Sequence, residues 1–384
     1  MYKTYKFRLY PDSNQKIMIN KTMGCNRYVY NYYLNKMKEF GYQNAFTNIM
    51  DYTSNLKYKD TFLQEVDSIV VRQTLFNLDN AFQKMFKENS GYPRYKNKHN
   101  KSSYNTCAIY GKYKDKEYCN IEIDLCKRMI KLPKLKWLKI RGYRNLKVII
   151  GRIKSTTIQR ESNGKYYVSV LYEQDDIKYK VIPRNVVGID LGIKKLLTLS
   201  DGTSYDNNKY LLKYEKRIKR KQRELSRKVK RSNNYYKCKK ELAKLYSKVA
   251  NSRKYYIHKI TKDITDEYDI ITCEKLHTKS MIIEGTKNHL SKSIVDASFN
   301  EIMRQLLYKS NYKGKYFYQV DEYYPSSQIC SVCDHQNKVY KDLSKRTYKC
   351  NNCGVTIDRD LNASINIMFS GVTNVYKKLL LISR

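Results

Sequence analysis

The chain opens with alternating apolar and polar side chains. Tyr5, Phe7 and Leu9 are separated by polar partners, and a proline ends the run. A period of two is typical of a half-buried β-strand. Asp12 and Gln15 then have the spacing of a helix capping box, which predicts a helix that continues through the aromatic residues of NRYVYNYYLNKM.

Helical periodicity returns between Val66 and Phe86, where apolar residues recur three or four positions apart. These two stretches predict a helical module, which we assign to residues 12–104. Its last part, residues 91–104, places basic residues, glycine and proline between tyrosines. Such a loop suits phosphate contacts and base stacking, although a solvated charged linker has the same composition.

From residue 105 to about 181 the period is again two, and Asn163-Gly164 is typical of a hairpin turn between two strands. Several short strands in succession predict a small β-barrel, formed by residues 105–184. The strand at residues 1–11 is expected to complete it. The helical module is then an insertion in the barrel.

An α/β unit is predicted from residue 185 onward. It begins with VVGIDLG, an apolar run interrupted by Asp190, and YDIITCEKL is a second apolar strand that ends at Glu274. Between them, residues 211–250 predict two helices with one apolar seam and a basic outer face, which suits a nucleic-acid backbone or solvent. Because an unpaired buried carboxylate is costly, Asp190 requires a cation or a metal as its partner.

A cysteine motif follows. One amphipathic helix is predicted over VDASFNEIMRQLLYKSNYKG, residues 295–314, and a strand then leads to the motif. Its members are Cys330, Cys333, Cys350 and Cys353, with the spacing C-x2-C-x16-C-x2-C. Four thiolates fill a tetrahedral shell, so the spacing predicts structural rather than catalytic zinc. His335, beside the second cysteine, is interpreted as a surface residue.

Asp360 begins the helix LNASINIM directly after the cysteine motif. With Asp190 and Glu274 it would form a group of three carboxylates able to hold two magnesium ions for phosphoryl transfer. Taken singly each acid indicates little, because an aspartate in a strand or at a helix start is more often an ion-pair partner or a cap. The sequence contains no GxxxxGK[ST], GxSxG or HExxH motif that would indicate another chemistry.

The charge of the chain indicates a partner. Of 384 residues, 76 are lysine or arginine and 36 are aspartate or glutamate, a net charge of +40. An AT-rich genome would enrich lysine and tyrosine but would not suppress glutamate, so the charge favours nucleic acid as the partner. We expect no membrane attachment, because the sequence has no apolar run of about 18 residues and no leader-like start. The six cysteines outside the motif show no paired pattern, as expected in a reducing cytoplasm.

Several motifs in the same order resemble the TnpB family, RNA-guided nucleases that insertion sequences carry and that are similar to compact type V CRISPR effectors. The motifs are KFRLYP, GCNRYVYNYYLNK, GIDLGIKKLLTLSDG, ITCEKL, DASFNEIMRQLLYK, YYPSSQICSVC and DRDLNASINI. They are distributed from the first strand to the last helix, so the resemblance extends over nearly the whole chain. One departure is Asp334, which stands where the family usually has glycine after the second cysteine.

The resemblance implies a RuvC-type nuclease domain of RNase H-like fold, at residues 185–327 and 357–384, with a zinc ribbon at 328–356 inserted in it. It also implies a wedge-like barrel with an inserted recognition module in the N-terminal half. The overall fold class is therefore α/β plus β-barrel.

The resemblance also implies roles for single residues. The metal-binding acids of the family match Asp190, Glu274 and Asp360, with Asp358 as the alternative for the third position. The four cysteines match its zinc ligands. Gln73 and Asn77, on the helical module, are candidate base readers.

The implied activity is RNA-guided cleavage of double-stranded DNA beside a short flanking motif at a magnesium-dependent site. The implied partners are a structured guide RNA, bound by one copy of the chain, and a double-stranded DNA target. The implied location is a prokaryotic cytoplasm, on the nucleoid when DNA is bound. Two alternatives remain open: a guide-dependent DNA-binding regulator that does not cut, and an unguided structure-specific nuclease or transposition protein.

Overall fold

The computed structural model describes residues 1–98, 102–113, 116–142, 151–175, 181–286, 290–341 and 345–382. The chain forms two compact units, Met1–Asp176 and Ile177–Arg384. The sequence placed this division at residues 184–185, and residues 176–180 lie outside the described ranges. Each unit has its own apolar cores.

The first unit contains a seven-stranded antiparallel sheet. Its strands are β1 (Tyr2–Tyr10), β2 (Ser102–Cys107), β5 (Glu122–Asp124), β6 (Met129–Leu132), β7 (Lys136–Arg141), β8 (Arg152–Arg160) and β9 (Tyr166–Glu173), while β3 (Tyr110–Tyr113) and β4 (Lys116–Cys119) form a separate hairpin. The order β2-β8-β9-β1-β7-β6-β5 places the first strand at the centre. Within the described ranges β2 and β5 are the edge strands, so closure into a barrel stays a prediction. The hairpin at Asn163-Gly164 joins β8 to β9, and Gly164 has a left-handed backbone with φ 82°.

The helices of the first unit lie between β1 and β2 in the chain. They are α1 (Ser13–Phe40), α2 (Ala45–Asp51), α3 (Lys57–Lys59) and α4 (Ser68–Glu88). The predicted capping box is present: Asp12 Oδ1 accepts from the Gln15 backbone N–H at 2.8 Å, and Gln15 Oε1 accepts from the Asp12 N–H at 3.0 Å. Leu34 of α1 and Leu75 of α4 belong to one helical core.

The second unit is built on a five-stranded mixed sheet. Its strands are β10 (Val186–Leu191), β11 (Lys195–Leu199), β12 (Ser204–Asp206), β13 (Ile270–Glu274) and β14 (Tyr316–Val320). The order is β12-β11-β10-β13-β14. β10 is antiparallel to β11 and parallel to β13, and β13 is parallel to β14. Val187, Ile189 and Ile271 are completely buried, as their apolar runs predicted.

The helices of the second unit include the predicted basic pair. The elements are α5 (Tyr210–Ser226), α6 (Asn233–Glu267), α7 (Thr278–Glu284), α8 (Ser291–Ala297), α9 (Phe299–Asn311) and α10 (Arg359–Ile382). Ser232 caps α6 by accepting from the Tyr235 N–H at 3.1 Å. No helix in the described ranges combines the length and the apolar character that crossing a membrane requires.

The single helix predicted over residues 295–314 is wrong in one respect. Ser298 has a left-handed backbone, with φ 57°, and separates α8 from α9. The break lets Asp296 accept from the Leu211 N–H at 3.0 Å and pair with Arg253, while Phe299 enters the core on the sheet. These contacts lie far apart in sequence, so local periodicity does not report them.

The cysteine motif lies between β14 and α10. It contains β15 (Thr347–Lys349) and β16 (Thr356–Asp358), which pair antiparallel, and β16 runs directly into α10. α10 packs closely on the five-stranded sheet, since a Cβ on Gly188 would lie 2.0 Å from the Ser364 carbonyl oxygen. Glycine is therefore required at this point of β10.

Candidate active site and zinc-binding module

Asp190 and Glu274 are neighbours in the five-stranded sheet. β10 runs parallel to β13 with Ile189 opposite Cys273, so the next residues along the two strands, Asp190 and Glu274, lie side by side. Both side chains are half-buried. Two acids that are 84 positions apart in the sequence thus meet because the strands are paired.

α10 lies on the side of the sheet that these carboxylates face. Alternate residues of a strand face the same side, so Asp190 faces with Gly188 and Glu274 with Thr272. Gly188 touches the backbone of α10, and Thr272 Oγ1 donates to a carbonyl oxygen of α10 at 3.2 Å. Asp360, in the first turn of α10, completes the group.

Burial and neighbouring charges shift the pKa of the two carboxylates on the strands. Burial raises the pKa of Asp190 well above its usual range, the charges of Glu274 and Asp360 raise it further, and Arg359 lowers it. Burial also raises the pKa of Glu274, whereas Ser326, which donates to its Oε1 at 2.6 Å, and Arg359 lower it. Arg359 is buried, with 6% of its surface exposed. Arg359 and the more exposed Arg346, whose guanidinium is 3.7 Å from the Asp360 carboxylate, are two cations against three acids. The excess of negative charge is one that a divalent cation would neutralise.

The donor set of these acids fits magnesium, a hard cation that binds carboxylate oxygens together with water or phosphate. The acids are less closely grouped than the thiols. In the described part of the chain, the ligand atoms of the four cysteines all lie within 4.8 Å of one another, whereas those of the three acids do not. Repulsion between like charges opposes a closer approach of the carboxylates.

The two aspartates of the DRD segment have different surroundings. Asp358 is exposed, and its Oδ1 accepts from the backbone N–H groups of Asp360 at 3.0 Å and Leu361 at 3.1 Å, so it caps α10. Asp360 is half-buried, and its charge raises the pKa of the nearby Asp190. The Arg346 guanidinium is 3.7 Å from the Asp360 carboxylate.

Two buried asparagines that the sequence did not single out hold the site together. Asn362 accepts from the Ser331 N–H at 2.9 Å and donates to the Ile329 carbonyl at 2.7 Å. Asn366 donates to the Ser326 carbonyl at 2.8 Å, and Ser326 is the residue that bonds to the β13 carboxylate. Both asparagines occur in the DRDLNASINI motif, but their backbone partners become visible only in the folded chain.

The four thiols form a second site. Cys330 Sγ lies 3.7 Å from Cys353 Sγ, and Cys333 Sγ lies 3.6 Å from Cys350 Sγ. Four sulfurs bound at about 2.3 Å to a tetrahedral zinc would be about 3.8 Å apart. The thiol spacing therefore fits a closed, structural zinc shell.

Hydrogen bonds lower the pKa of Cys333 and Cys350, whereas the pKa of Cys353 is raised to about 12. The hydrogen bond from Asn352 Nδ2 to Cys333 Sγ, at 3.6 Å, contributes most to a Cys333 pKa that is lowered to about 6. The small core of the module contains Tyr340 and Tyr348, whose ring centroids are 4.4 Å apart. Metal binding and this pair of rings would together stabilise a module that is too small for a larger core.

The backbone conformation of Asp334 explains why the related proteins usually have glycine at this position. It has a left-handed backbone, with φ 58°, and its N–H donates to the Cys330 carbonyl at 3.0 Å. Glycine adopts this conformation without steric cost, and aspartate tolerates it better than most residues. His335 is exposed, in agreement with its interpretation as a surface residue.

The candidate base readers lie on α4. Asn105 Nδ2 donates to Gln73 Oε1 at 3.3 Å, and Asn77 Nδ2 donates to Asn105 Oδ1 at 3.2 Å. Their role as base readers stays a prediction. The basic loop at residues 91–104 is described except for residues 99–101, which lie outside the described ranges.

Three sequence families match parts of the chain. A family described as "Probable transposase" matches residues 169–284, one described as "Cas12f1-like, TNB domain" matches residues 299–367, and one described as "Helix-turn-helix domain" matches residues 1–44. In this structure the last range contains β1 and α1, a strand and one long helix.

Relatives match over almost the full length. The "Putative RNA-guided DNA endonuclease InsQ" of Escherichia coli (strain K12) is 30% identical over 388 residues, covering 96% of this chain and 92% of the relative. A "Putative RNA-guided DNA endonuclease" of Streptomyces pristinaespiralis is 30% identical over 380 residues, covering 96% and 89%. Among solved structures, a chain from "Cryo-EM structure of the Cas12f1-sgRNA-target DNA complex" has a similar fold, with a TM-score of 0.55 at 15% identity over 96% of this chain and 98% of that one.

Proposed function

Since this chain belongs to the TnpB family, we propose that it is an RNA-guided endonuclease that cleaves double-stranded DNA beside a short flanking motif. The observation that carries the proposal is the convergence of Asp190, Glu274 and Asp360 beside the N-terminal end of α10. These acids come from three separate segments, and Arg359 and Arg346 together do not balance their three charges. The presence of all three acids favours a nuclease over a regulator that only binds DNA.

The strand order of the second unit supports a RuvC-type nuclease domain. Three antiparallel strands followed by two parallel ones, in the order β12-β11-β10-β13-β14, match the arrangement of an RNase H-like fold. We assign residues 185–327 and 357–384 to this domain, 328–356 to a zinc ribbon, 1–11 and 105–184 to a wedge-like barrel, and 12–104 to a recognition module.

We assign the three acids to magnesium. Two magnesium ions held by Asp190, Glu274 and Asp360 would supply an activated water and neutralise the leaving oxygen of a phosphodiester. The chain positions these ligands itself. Arg359 favours the ionised forms of Asp190 and Glu274, because a nearby cation lowers a carboxyl pKa. Ser326 orients the Glu274 carboxylate through its hydrogen bond.

The zinc ribbon has a structural role in this proposal. Four thiolates leave no open position on zinc, so the ribbon does not take part in bond cleavage. β16 begins at the last residue of the ribbon and leads directly into α10, which carries Asp360. Asn362 fixes the start of the ribbon on the same helix. Loss of Cys350 would therefore impair folding of the ribbon and positioning of Asp360.

The net charge of +40 supports a polyanionic partner. We propose that one copy of the chain binds one structured guide RNA and meets its DNA target in the cytoplasm of a prokaryotic cell, on the nucleoid. The recognition module would read the flanking motif.

The test begins with protein purified from a host that carries its native element, followed by sequencing of any co-purified RNA. The complex is then assayed on a plasmid that contains the guided target, with magnesium. Asp190→Ala should lower the cleavage rate by about a hundredfold or more, because a metal ligand is lost. The control is Glu284→Ala, an exposed acid on α7, which should cleave like the wild type.

Each other outcome would indicate a different function of this chain. A discrete RNA with no cleavage by the wild type would indicate a DNA-binding regulator. Cleavage of branched DNA without any RNA would indicate a structure-specific nuclease, and joined DNA products would indicate strand transfer. Unchanged guided cleavage by Asp190→Ala would contradict the assigned site.

A further inference from the structure

The four thiols of the ribbon lie on two turns of the same construction, residues 330–335 and 350–355, which we call the first and second knuckle. In both, the N–H of the first cysteine, Cys330 or Cys350, donates to the carbonyl five positions on, at 3.0 and 2.9 Å. The carbonyl of the same cysteine accepts from the N–H four positions on, at 3.0 and 3.1 Å, and the residue that donates has a left-handed backbone. Each residue of the first knuckle therefore has an equivalent 20 positions later.

The sulfur positions follow the same equivalence. Exchanging the knuckles converts the contact between Cys330 and Cys353, with sulfurs 3.7 Å apart, into the contact between Cys350 and Cys333, with sulfurs 3.6 Å apart. Of the four thiols, Cys353 is exposed, Cys333 is half-buried and the other two are buried. The two knuckles thus present their ligands alike, with the second cysteine of each nearer to solvent.

The knuckles differ at the position two residues after their first cysteine. Asn352 occupies it in the second knuckle, where its Nδ2 donates to Cys333 Sγ at 3.6 Å and its backbone N–H donates to Cys350 Sγ at 3.4 Å. One residue thereby bonds to a sulfur of each knuckle. The equivalent residue of the first knuckle is Val332, which is exposed and has no donor in its side chain. Valine cannot supply the corresponding bond to Cys353.

A hydrogen bond to a zinc-bound thiolate strengthens the site in two ways. It withdraws part of the negative charge from the sulfur, so four thiolates on one ion repel one another less, and it holds the ligand in place. Loss of such a partner outside the ligand shell lowers metal affinity by about 10–100-fold. The thiolate of Cys333 has this support from a side chain of the opposite knuckle.

We propose that Asn352 is a positioning residue that retains zinc by holding Cys333, and that Cys353, opposite Val332, is the ligand that leaves the metal first. The ribbon then loses zinc by one defined route, through its most exposed thiolate. This inference rests on the zinc ribbon of the proposed function and on no part of the nuclease activity.

The first test measures zinc retention in the zinc-loaded full-length chain, without nucleic acid, by titration with a chromophoric chelator that competes for the metal. Asn352→Leu cannot donate a hydrogen bond and should lower zinc affinity about tenfold. Asn352→Asp keeps the shape of the side chain but adds a negative charge beside the thiolates, so it should lower the affinity further. The matched control is Asn351→Leu, at the adjacent exposed asparagine of the same knuckle, which should retain zinc like the wild type.

A gain-of-function variant tests the equivalence of the knuckles. Val332→Asn supplies the missing donor and should raise zinc affinity about tenfold. Iodoacetamide added to the zinc-loaded wild type should alkylate Cys353 before the other three ligands, as read by mass spectrometry. In Val332→Asn this preference should disappear, because both outer thiolates then have the same support.

Cobalt(II) in place of zinc reports the hydrogen bond itself. The sulfur-to-cobalt charge-transfer absorption should move to longer wavelength in Asn352→Leu, because a thiolate that has lost a hydrogen bond gives up an electron more readily. It should move to shorter wavelength in Val332→Asn. A general effect on folding would not shift the absorption in opposite directions in the two variants.

The proposal is overturned if Asn352→Leu and Asn352→Asp both retain zinc like the wild type. An equal loss in Asn351→Leu would also overturn it, since the effect would then belong to the turn as a whole. Alkylation of Cys333 before Cys353 would contradict the order of release. A wild-type chain that binds no zinc would refute this inference together with the zinc ribbon, whereas a failure of guided cleavage with these zinc properties intact would affect only the proposed nuclease.

Discussion

Asp358 and Asp360 are two positions apart, and the structure separates their roles. Asp360→Asn removes a charge beside Asp190, so plasmid cleavage should fall by about a hundredfold or more with RNA binding unchanged. Asp358→Asn should keep cleavage within about twofold, because asparagine caps a helix about as well as aspartate. The cleavage rates of the two variants show which aspartate is the third ligand, and thermal unfolding shows that both variants are folded. The opposite ranking would make Asp358 the third ligand.

The raised pKa of Asp190 predicts that the stability of the magnesium-free protein depends on pH. Because burial and neighbouring acids raise this pKa in the folded state, the folded chain holds the proton more tightly than the unfolded chain. The ionised carboxylate therefore destabilises the fold above the raised pKa. This penalty disappears as pH falls through the raised pKa toward the ordinary range of an unfolded aspartate.

Asp190→Asn should accordingly unfold at a higher temperature than the wild type in magnesium-free buffer at about pH 8, by roughly 2–4 °C for each 1 kcal/mol, and the gain should shrink toward about pH 4. No chelator is added, because it would remove the structural zinc. Magnesium should reverse the order at about pH 8, because it binds and stabilises only the wild type. The measurement is thermal unfolding across this pH range with and without magnesium. A gain that is constant with pH would assign the effect to packing instead of to charge.

At the level of elements, the contact between α10 and β10 controls the site. A Cβ on Gly188 would meet the Ser364 carbonyl oxygen at 2.0 Å and the Met368 backbone nitrogen at 2.6 Å. Gly188→Ala must displace α10, and with it Asp360, so we expect a loss of about 1–3 kcal/mol of unfolding free energy and a severe loss of cleavage.

The matched control is Gly91→Ala, since a Cβ there meets nothing within 4 Å and the backbone is not left-handed. It should retain both stability and activity. Denaturant unfolding and plasmid cleavage are measured on both variants. Full activity of Gly188→Ala would show that the position of α10 on the sheet does not control catalysis.

The elements also show how far the sequence predicts this fold. The strands of Asp190 and Glu274 were predicted because buried parallel strands form nearly continuous apolar runs. The cysteine spacing predicted a group of thiols, and their sulfurs lie within 4.8 Å of one another. The break at Ser298 was missed, because it depends on distant contacts of Asp296. The amides of Asn362 and Asn366 were missed for the same reason, since side chain to backbone bonds between remote segments leave no periodic pattern.

At the level of the whole molecule, composition predicted a polyanionic partner but not where it binds. The net charge of +40 is a property of the entire chain, whereas the placement of the basic segment around Lys96 depends on its two hydrogen bonds to the Asn31 side chain on α1. Recognition of a sugar or a base depends on single buried donors and acceptors. These become apparent only when the segments that carry them are brought together.

The same net charge predicts opposite effects of salt on the free and the RNA-bound chain. Without RNA, repulsion among the excess cations destabilises the compact state, and salt screens it, so the unfolding temperature should rise between about 0.05 and 0.5 M salt. With RNA, salt weakens binding through counterion effects, so the stabilisation that RNA confers should fall over the same range. Thermal unfolding at fixed RNA concentration should therefore give two curves that converge. A free chain whose unfolding temperature falls with salt would contradict this prediction, because its surface ion pairs, such as Lys221 with Glu224 and Glu241, would then outweigh the repulsion.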